Sequence, residues 1–279
     1  FFFKQKTAYE IKECDWSSDV CSSDLGSAGA VTTSAGAKSA PDSYTLLLAC
    51  SSHLINPSIY PKLPYDTLKD FVSITQVAAQ TLMLNIHPAL PAKSVKELIS
   101  LAKAWPGQLN YATSGSGSGS HLATVVMNKM AGITILHMPY KGSAPAMIDS
   151  ISGQCQAHIA SLITPLPHGR EGRVRGIGVT SAKRSATAPD IPAIAEMLPR
   201  YEVVKSYYLA APAGLPADVH TKLHADALKA IRHPEVVERL ARDGADPVGN
   251  TPAQATRYME GEIQKWGKAV RESGAKADG

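Results

Sequence analysis

Between Thr113 and His121 the chain reads TSGSGSGSH, hydroxyl side chains alternating with Gly115, Gly117 and Gly119 and ending in an imidazole. A polar, glycine-rich turn between a strand and a helix offers backbone N–H groups and hydroxyls at the positive end of a helix dipole. That chemistry suits an anion, and a small carboxylate in particular. Thr113, Ser114, Gly115, Gly117, Ser118, Ser120 and His121 are the candidates here. A second polar turn, Tyr140, Lys141, Gly142 and Ser143, follows another strand. Ser51, Ser52 and His53 follow the apolar run Tyr44–Cys50, and Ser161 closes the run from Cys155. Ligands of open α/β sheets sit beyond the carboxyl ends of strands, which places Ser51, Ser52 and His53 for binding. For Ser51–His53, a helix N-cap followed by a surface histidine fits the residues equally well.

Other chemistries find little support. The glycines are spaced G-x-G-x-G, which is not the dinucleotide fingerprint, and no G-x-x-x-x-G-K-[ST] is present. A G-x-S-x-G nucleophile elbow fails on register, because glycine centres every G-x-x-x-G window of the loop. No H-E-x-x-H occurs. His220 and His224 share a helix face without a matching carboxylate or Cys, so they read as a solvated face. Lys141 has no neighbour to depress its pKa towards Schiff-base chemistry. The expectation is binding without catalysis, cofactor or metal.

The elements that must hold these residues alternate strand and helix, which predicts an α/β fold with mostly parallel sheets. Tyr44–Cys50 reads as a strand buried on both faces. Asn56–Asp70, with three prolines, reads as an irregular connection, and Phe71–Val77 and Thr81–Ile86 as two strands. Ser94 and Glu97 form a capping box for a helix whose inner stripe is Val95, Leu98, Ile99 and Ala102. A strand at Leu109–Thr113 leads into the polar loop. The helix after it buries Leu122, Val125, Val126 and Met130 and stops at Gly132. Ile133–Met138, Cys155–Ser161 and Arg175–Thr180 read as strands, Tyr201–Pro212 as an extended run, and a helix from Ser143 stops at Gly153. Three helices close the chain, from Pro216, Pro234 and Thr251-Pro252. The last is capped by Gln254 and turns Tyr258, Met259, Ile263 and Trp266 inward. Gly26–Ala40 fits either a linker or a helix with Val31 and Ala35 inward, and Pro41-Asp42-Ser43 is a turn.

The 279 residues carry 28 basic and 24 acidic side chains. Three of the basic and five of the acidic fall in residues 1–25, leaving 25 and 19 in the remainder. That mild positive excess suits an anionic ligand and is too diffuse for nucleic acid. Cys50 and Cys155 each sit in an apolar run and read as small core residues. No apolar run is long enough for a membrane span. Residues 1–25 have no apolar period and no signal-peptide core. Lys4–Glu10 and Asp15–Leu25 resemble the translation of a short-read sequencing adapter, so residues 1–25 are set aside as artefactual or disordered.

Several longer segments resemble a known family. They are Pro41–Leu48 (PDSYTLLL), Asn56–Asp66 (NPSIYPKLPYD), Pro91–Leu98 (PAKSVKEL), His137–Ala146 (HMPYKGSAPA) and Val179–Arg184 (VTSAKR), together with Ala211–Gly214 and Lys265–Lys268. They resemble the Bug family, extracytoplasmic solute receptors of tripartite tricarboxylate transporters. The resemblance covers Gly26 to Ala277. It implies a two-domain, periplasmic-binding-protein-like fold of the Venus-flytrap type that closes on a small carboxylate between its domains. One domain would be 26–86 plus 206–279 and the other 87–205. Ser51–His53 would face the ligand from the first, and Thr113–His121, Tyr140–Ser143 and Ser161 from the second. It further implies a periplasmic monomer that docks on membrane transporter subunits. The same family fold can serve as the ligand-sensing partner of a two-component membrane kinase. An α/β hydrolase using Ser and His of residues 114–121 is the third alternative. Family members open with a strand, a ligand loop, a helix and a second strand before the counterpart of Gly26. Their absence from this sequence predicts a poorly stable chain that binds weakly. Ala160 stands where the family commonly has Asp, and Ser206 where it often has Trp.

Overall fold

A computed structural model describes residues 2–3, 30–41 and 45–273. The expected turn at Asp42-Ser43, the start of the first apolar strand at Tyr44, the side chain of Val31 and most of residues 1–25 lie outside the described residues. The chain divides into two compact units. Unit 1 takes residues 1–79, 206–240 and 246–277, and unit 2 takes 80–205, 241–245 and 278–279.

Unit 1 is built on β2 (Leu46–Cys50), which pairs antiparallel with β8 (Val204–Pro212), Leu47 lying opposite Ala210 and Cys50 opposite Tyr207. β1 (Phe2–Phe3) adds to its other edge, Phe2 opposite Leu47. β2 alternates half-buried and buried residues up to Ala49, so it is not the strand covered on both faces that its apolar run predicts. α1 (Ala30–Ala37) confirms the helical option for that stretch, but it buries Ala30 and Thr33 and leaves Ala35 exposed.

α2 (Ser51–Ile59) extends into a stretch that reads as irregular because of its prolines. Pro57 has no N–H to return to the carbonyl of His53. The Thr67 hydroxyl donates to that carbonyl instead, at 3.4 Å, so the helix runs through its proline without an orphaned acceptor. α2 packs on α9 (Pro252–Ser273). The contact is close: a Cβ built on Gly267 of α9 would lie 3.2 Å from Ser58 Oγ. Thr251 and Gln254 cap α9 reciprocally, the Thr251 N–H reaching Gln254 Oε1 at 2.9 Å and the Gln254 N–H reaching Thr251 Oγ1 at 3.3 Å. Met259 and Trp266 are buried, whereas Tyr258 and Ile263 are half-buried. α7 (Ala217–Ile231) and α8 (Pro234–Arg242) complete the helical part.

The two strands expected between residues 71 and 86 are one, β3 (Phe71–Ile86), which begins in unit 1 and ends in unit 2. In unit 2 it lies between β6 (Ala157–Ser161) and β7 (Arg175–Val179), antiparallel to both. β4 (Asn110–Thr113) pairs parallel with β6 and with β5 (Leu136–Pro139). Hence β4, β5, β6 and β7 share one direction and β3 opposes them, a mixed sheet of mostly parallel strands. The short strand β9 (Ala245–Pro247) pairs with β3, and it and α6 (Pro165–Arg170) carry no strong sequence signal.

Helices cover the sheet of unit 2. α3 (Val95–Ala104) starts where Ser94 Oγ accepts the Glu97 N–H, and it buries all four residues of its expected stripe. α5 (Ser143–Ser152) packs on β4 and β6 and ends at Gly153. α4 (Gly119–Ala131) packs on β6, but not through the face its larger apolar residues suggest. Ser120, Ala123, Thr124, Met127 and Ala131 are buried with Leu122, while Val125 and Val126 are half-buried and Met130 is exposed. The Tyr201 hydroxyl donates to the Ala123 carbonyl at 3.0 Å.

Candidate functional site

In unit 2 the polar loop bridges the end of β4 and the start of α4. Gly115 (φ 128°) and Gly117 (φ 76°) hold backbone conformations that L side chains rarely adopt, and a Cβ on Gly115 would reach 3.4 Å from the Tyr140 carbonyl. The alternation of glycine and serine therefore has a local cause. Glycine makes the turns, and serine supplies the groups that fasten them.

Much of the loop's donor capacity is used inside the loop, contrary to the expectation of several exposed N–H groups. The Ser114 N–H reaches Ser120 Oγ at 3.3 Å, and the Gly115 N–H reaches Thr113 Oγ1 at 3.3 Å. The Gly117 N–H donates to His121 Nδ1 at 3.0 Å, and the Ser118 N–H to the Gly115 carbonyl at 3.3 Å. Ser118 is the N-cap of α4: its Oγ accepts the His121 N–H at 3.2 Å and donates to the Gly115 carbonyl at 2.7 Å. What stays open is the first turn of the helix. The N–H groups of Gly119 and Ser120 have no protein acceptor among the described residues, as the first positions of any α-helix require. The hydroxyls of Ser118 and Ser120 lie 2.9 Å apart beside them.

Imidazoles back this loop. His121 and His137 stack face to face, ring centroids 3.9 Å apart and 7° from parallel, and Tyr111 lies against His137 at 5.1 Å. Accepting the Gly117 N–H through Nδ1 leaves the proton of neutral His121 on Nε2. His137 Nε2 lies 2.7 Å from Thr113 Oγ1. His137 is absent from the sequence candidates. Its signal is the parallel register that sets it opposite Tyr111, which becomes visible only once β4 and β5 pair. Thr113 is fully buried, whereas His137 is half-buried.

The second polar turn lies next to the first, the Tyr140 N–H donating to the Thr113 carbonyl at 3.1 Å. The Tyr140 hydroxyl is turned to its own helix, donating to Asp149 at 2.7 Å and lying 3.3 Å from Cys155 Sγ. Burial, then Cys155 and Asp149, raise its pKa well above the ordinary tyrosine value. Lys141 is exposed, Gly142 is the N-cap of α5 and Ser143 its first residue. The Ser161 hydroxyl donates to Gln80 Oε1 at 3.2 Å.

In unit 1 the residues after β2 form a polar cluster of their own. Ser51 Oγ accepts the Ser206 N–H at 2.8 Å. Ser206 Oγ accepts from Gln76 Nε2 at 3.2 Å and lies 2.6 Å from the Tyr258 hydroxyl. Gln76 and Tyr258 thus join Ser51 through Ser206; the sequence offers Tyr258 only as an inward residue of its helix and does not single out Gln76. Ser52 is half-buried, its Oγ 3.1 Å from Cys50 Sγ. His53 is only 2 % exposed. Its ring stacks on Tyr65 at 5.7 Å and meets Phe71 edge-on at 5.4 Å, with Tyr208 at 6.0 Å. Burial lowers its pKa from 6.5 to about 4, the Thr67 backbone opposing slightly, and neither ring nitrogen reaches hydrogen-bonding geometry.

Among the described residues no three His, Cys, Asp or Glu side chains converge as a metal site. Cys50 and Cys155 are buried thiols. Among the described residues no helix is long and apolar enough to cross a membrane.

Residues 19–275 match the family model described as tripartite tricarboxylate transporter family receptor, a match that begins inside the segment set aside by sequence. The chain is 36 % identical over 254 residues to protein BugT of Bordetella pertussis, covering 90 % of this chain and 78 % of that protein. It is similar to the structure of Rpa4515 of R. palustris with adipate, at 32 % identity and TM-score 0.80, over 91 % of this chain and 85 % of that one. It is also similar to MatC of Rhodopseudomonas palustris with bound malate, at 27 % identity and TM-score 0.74, over 87 % and 84 % of the two chains.

Proposed function

The chain belongs to the tripartite tricarboxylate transporter receptor family, and from that premise we propose that it captures a small carboxylate in the periplasm and delivers it to the membrane subunits of such a transporter. The observation that carries the reading is the open first turn of α4. Two unclaimed N–H groups, Gly119 and Ser120, stand beside two serine hydroxyls at the positive end of a 13-residue helix. That geometry fits one carboxylate group, and its donors carry no formal charge. Ligands of the size and charge of adipate and malate, which similar receptors hold, are the first to try.

Ser118 and Ser120, both sequence candidates, and the N–H of Gly119, which was not among them, supply direct contacts in this reading. Thr113, Gly115, Gly117 and His121 shape the loop from behind. Family and fold are those of solute-binding receptors, which are not enzymes. Calorimetric titration with adipate, malate and citrate, and with matched diamines as controls, tests the proposal. Saturable binding of at least one carboxylate and none of the amines is expected. Equal binding of both classes, or of neither, refutes it. Transport in membranes carrying the receptor with its transporter subunits tests the delivery step.

A further inference from the structure

A concavity of about 560 Å³ opens on unit 2, lined by α6 and the turn after it, the start of β7, and residues 187–191. Its volume falls in the range of roughly 300–1,000 Å³ typical of small-molecule sites. The polar loop lies at the carboxyl ends of β4 and α4's start, whereas Arg175 and Gly176 of this concavity begin β7, a strand that runs the same way as β4. The two sites therefore sit at opposite ends of their strands.

The lining combines an apolar floor with fixed charge. Met83, Leu166, Val174 and Ile191 face it, and the floor is continuous with the core cluster of Met83, Leu162, Val179 and Ala188. Leu166 and Ile191 are only half-buried, so part of their apolar surface remains to be covered. Gly176 is what lets the floor close: a Cβ there would come within 2.8 Å of the Met83 sulfur and 3.0 Å of Ile191 Cδ1.

Three charged side chains rim the floor, Arg170, Arg175 and Asp190. Arg175 is oriented by one bond, Nη1 donating to the Ala92 carbonyl at 2.7 Å, which leaves its other donors for a second partner. Arg170 is exposed and makes no hydrogen bond or ion pair among the described residues. Asp190 adds one negative charge to the rim, and Arg184, which feels it, is itself bonded to Glu196 at 2.8 Å. Two guanidiniums without a carboxylate partner, set over an apolar floor, match a planar carboxylate on a hydrocarbon body.

We infer that this concavity is a second ligand site, taking a small organic acid with an apolar chain or ring. The carboxylate meets Arg170 and Arg175, and the apolar body covers Leu166, Val174 and Ile191.

Octanoate is the probe, titrated into the full chain carrying labelled Met, Leu and Ile methyl groups, with octylammonium as the charge control. Saturable shifts at Met83, Leu166 and Ile191 are expected with octanoate and not with octylammonium. Arg170→Glu should weaken octanoate by about tenfold or more, a charge-assisted hydrogen bond becoming a repulsion, and Arg170→Gln by less. Arg170 is exposed and unbonded, so both variants should fold, and both should bind the loop's carboxylate ligand unchanged. No shift at those three methyl groups up to the solubility of octanoate overturns the inference. So does an affinity that ignores Arg170→Glu, or equal binding of octylammonium. Failure of adipate or malate to bind, with octanoate still shifting these methyl groups, would count against the loop and not against this site.

Discussion

Gly119→Pro isolates the helix N-terminus as the ligand donor. Gly119 is the first residue of α4, and its N–H belongs to the set that no α-helix can satisfy internally. Proline at that position removes the N–H and keeps the helical φ, a substitution helices tolerate well. The preceding residue must be extended for this to work, and Ser118 already is, at φ −69° and ψ 160°. A Cβ on Gly119 meets nothing within 4 Å, so the added bulk has room. The fold should therefore hold, with Tm unchanged or slightly higher, since proline also restricts the unfolded chain. Binding should not hold. One N–H bonded to a carboxylate is worth about 1.5–3 kcal/mol, which is roughly a 10–100-fold loss of affinity. Gly119→Ala is the control, because it adds a side chain and keeps the N–H. Titration calorimetry of the three proteins with the best carboxylate found for the parent reads the result. Equal affinity in the proline and alanine variants would refute the role of this N–H. Equal weakening in both would mean that the loop's freedom matters, and not its donor.

Three further outcomes follow from packing and charge. His53 and His158 are both buried with pKa values lowered by desolvation from 6.5 to about 4. The unfolded chain binds more protons between those values, so the stability they contribute is complete above pH 6.5 and is lost as pH falls towards 4; near pH 5 the loss is about 2 kcal/mol for each. Urea midpoints near pH 7.5 and near pH 5 should show it, and His53→Leu should remove about half of the difference; an unchanged difference would place His53 at an ordinary pKa. Gly178→Ala in β7 would bring its Cβ to 2.8 Å from Ile194 Cγ1 and 2.9 Å from Val95 Cγ2. Thermal unfolding should show a cost of about 1–3 kcal/mol from overpacking. Tyr201→Phe removes the bond to the Ala123 carbonyl and should cost about 1 kcal/mol, read by the same melts, with carboxylate affinity unchanged.

Local signals were legible in the sequence, and long-range ones were not. The caps of α3 and α9 were readable because a capping box needs only residues three apart, and Ser94 with Glu97 and Thr251 with Gln254 supply it. The α/β alternation, the membership in the receptor family and the place of the polar loop followed from the same kind of signal. The buried face of α4 was partly misread because Ser120, Ala123, Thr124 and Ala131 are buried beside Leu122 and Met127, and Tyr201 bonds to it from 78 positions away. The helix through Pro57 was missed because its missing donor is replaced by Thr67, outside the helix. β3 reads as two strands because Ala78, Ala79 and Gln80 break the apolar run, yet the backbone continues through them. In the candidate site, residue types announced a donor-rich loop. Spacing alone did not reveal that Thr113, Ser120 and His121 consume most of those donors, nor that His137 stacks behind them.

The division of the chain also bears on how the protein is made. Unit 2 is almost wholly one continuous stretch, residues 80–205, set inside a unit 1 assembled from segments on either side of it. During synthesis the sheet of unit 2 can close as soon as β7 leaves the ribosome. β2, by contrast, must wait for β8 to arrive before its edge is paired. Until then the Leu46–Cys50 edge is an open template for other chains, a window in which a chaperone or a protease finds its target. Loop-closure entropy grows only slowly with the length of the insert, so the arrangement costs little in final stability. Its burden falls on the order of events.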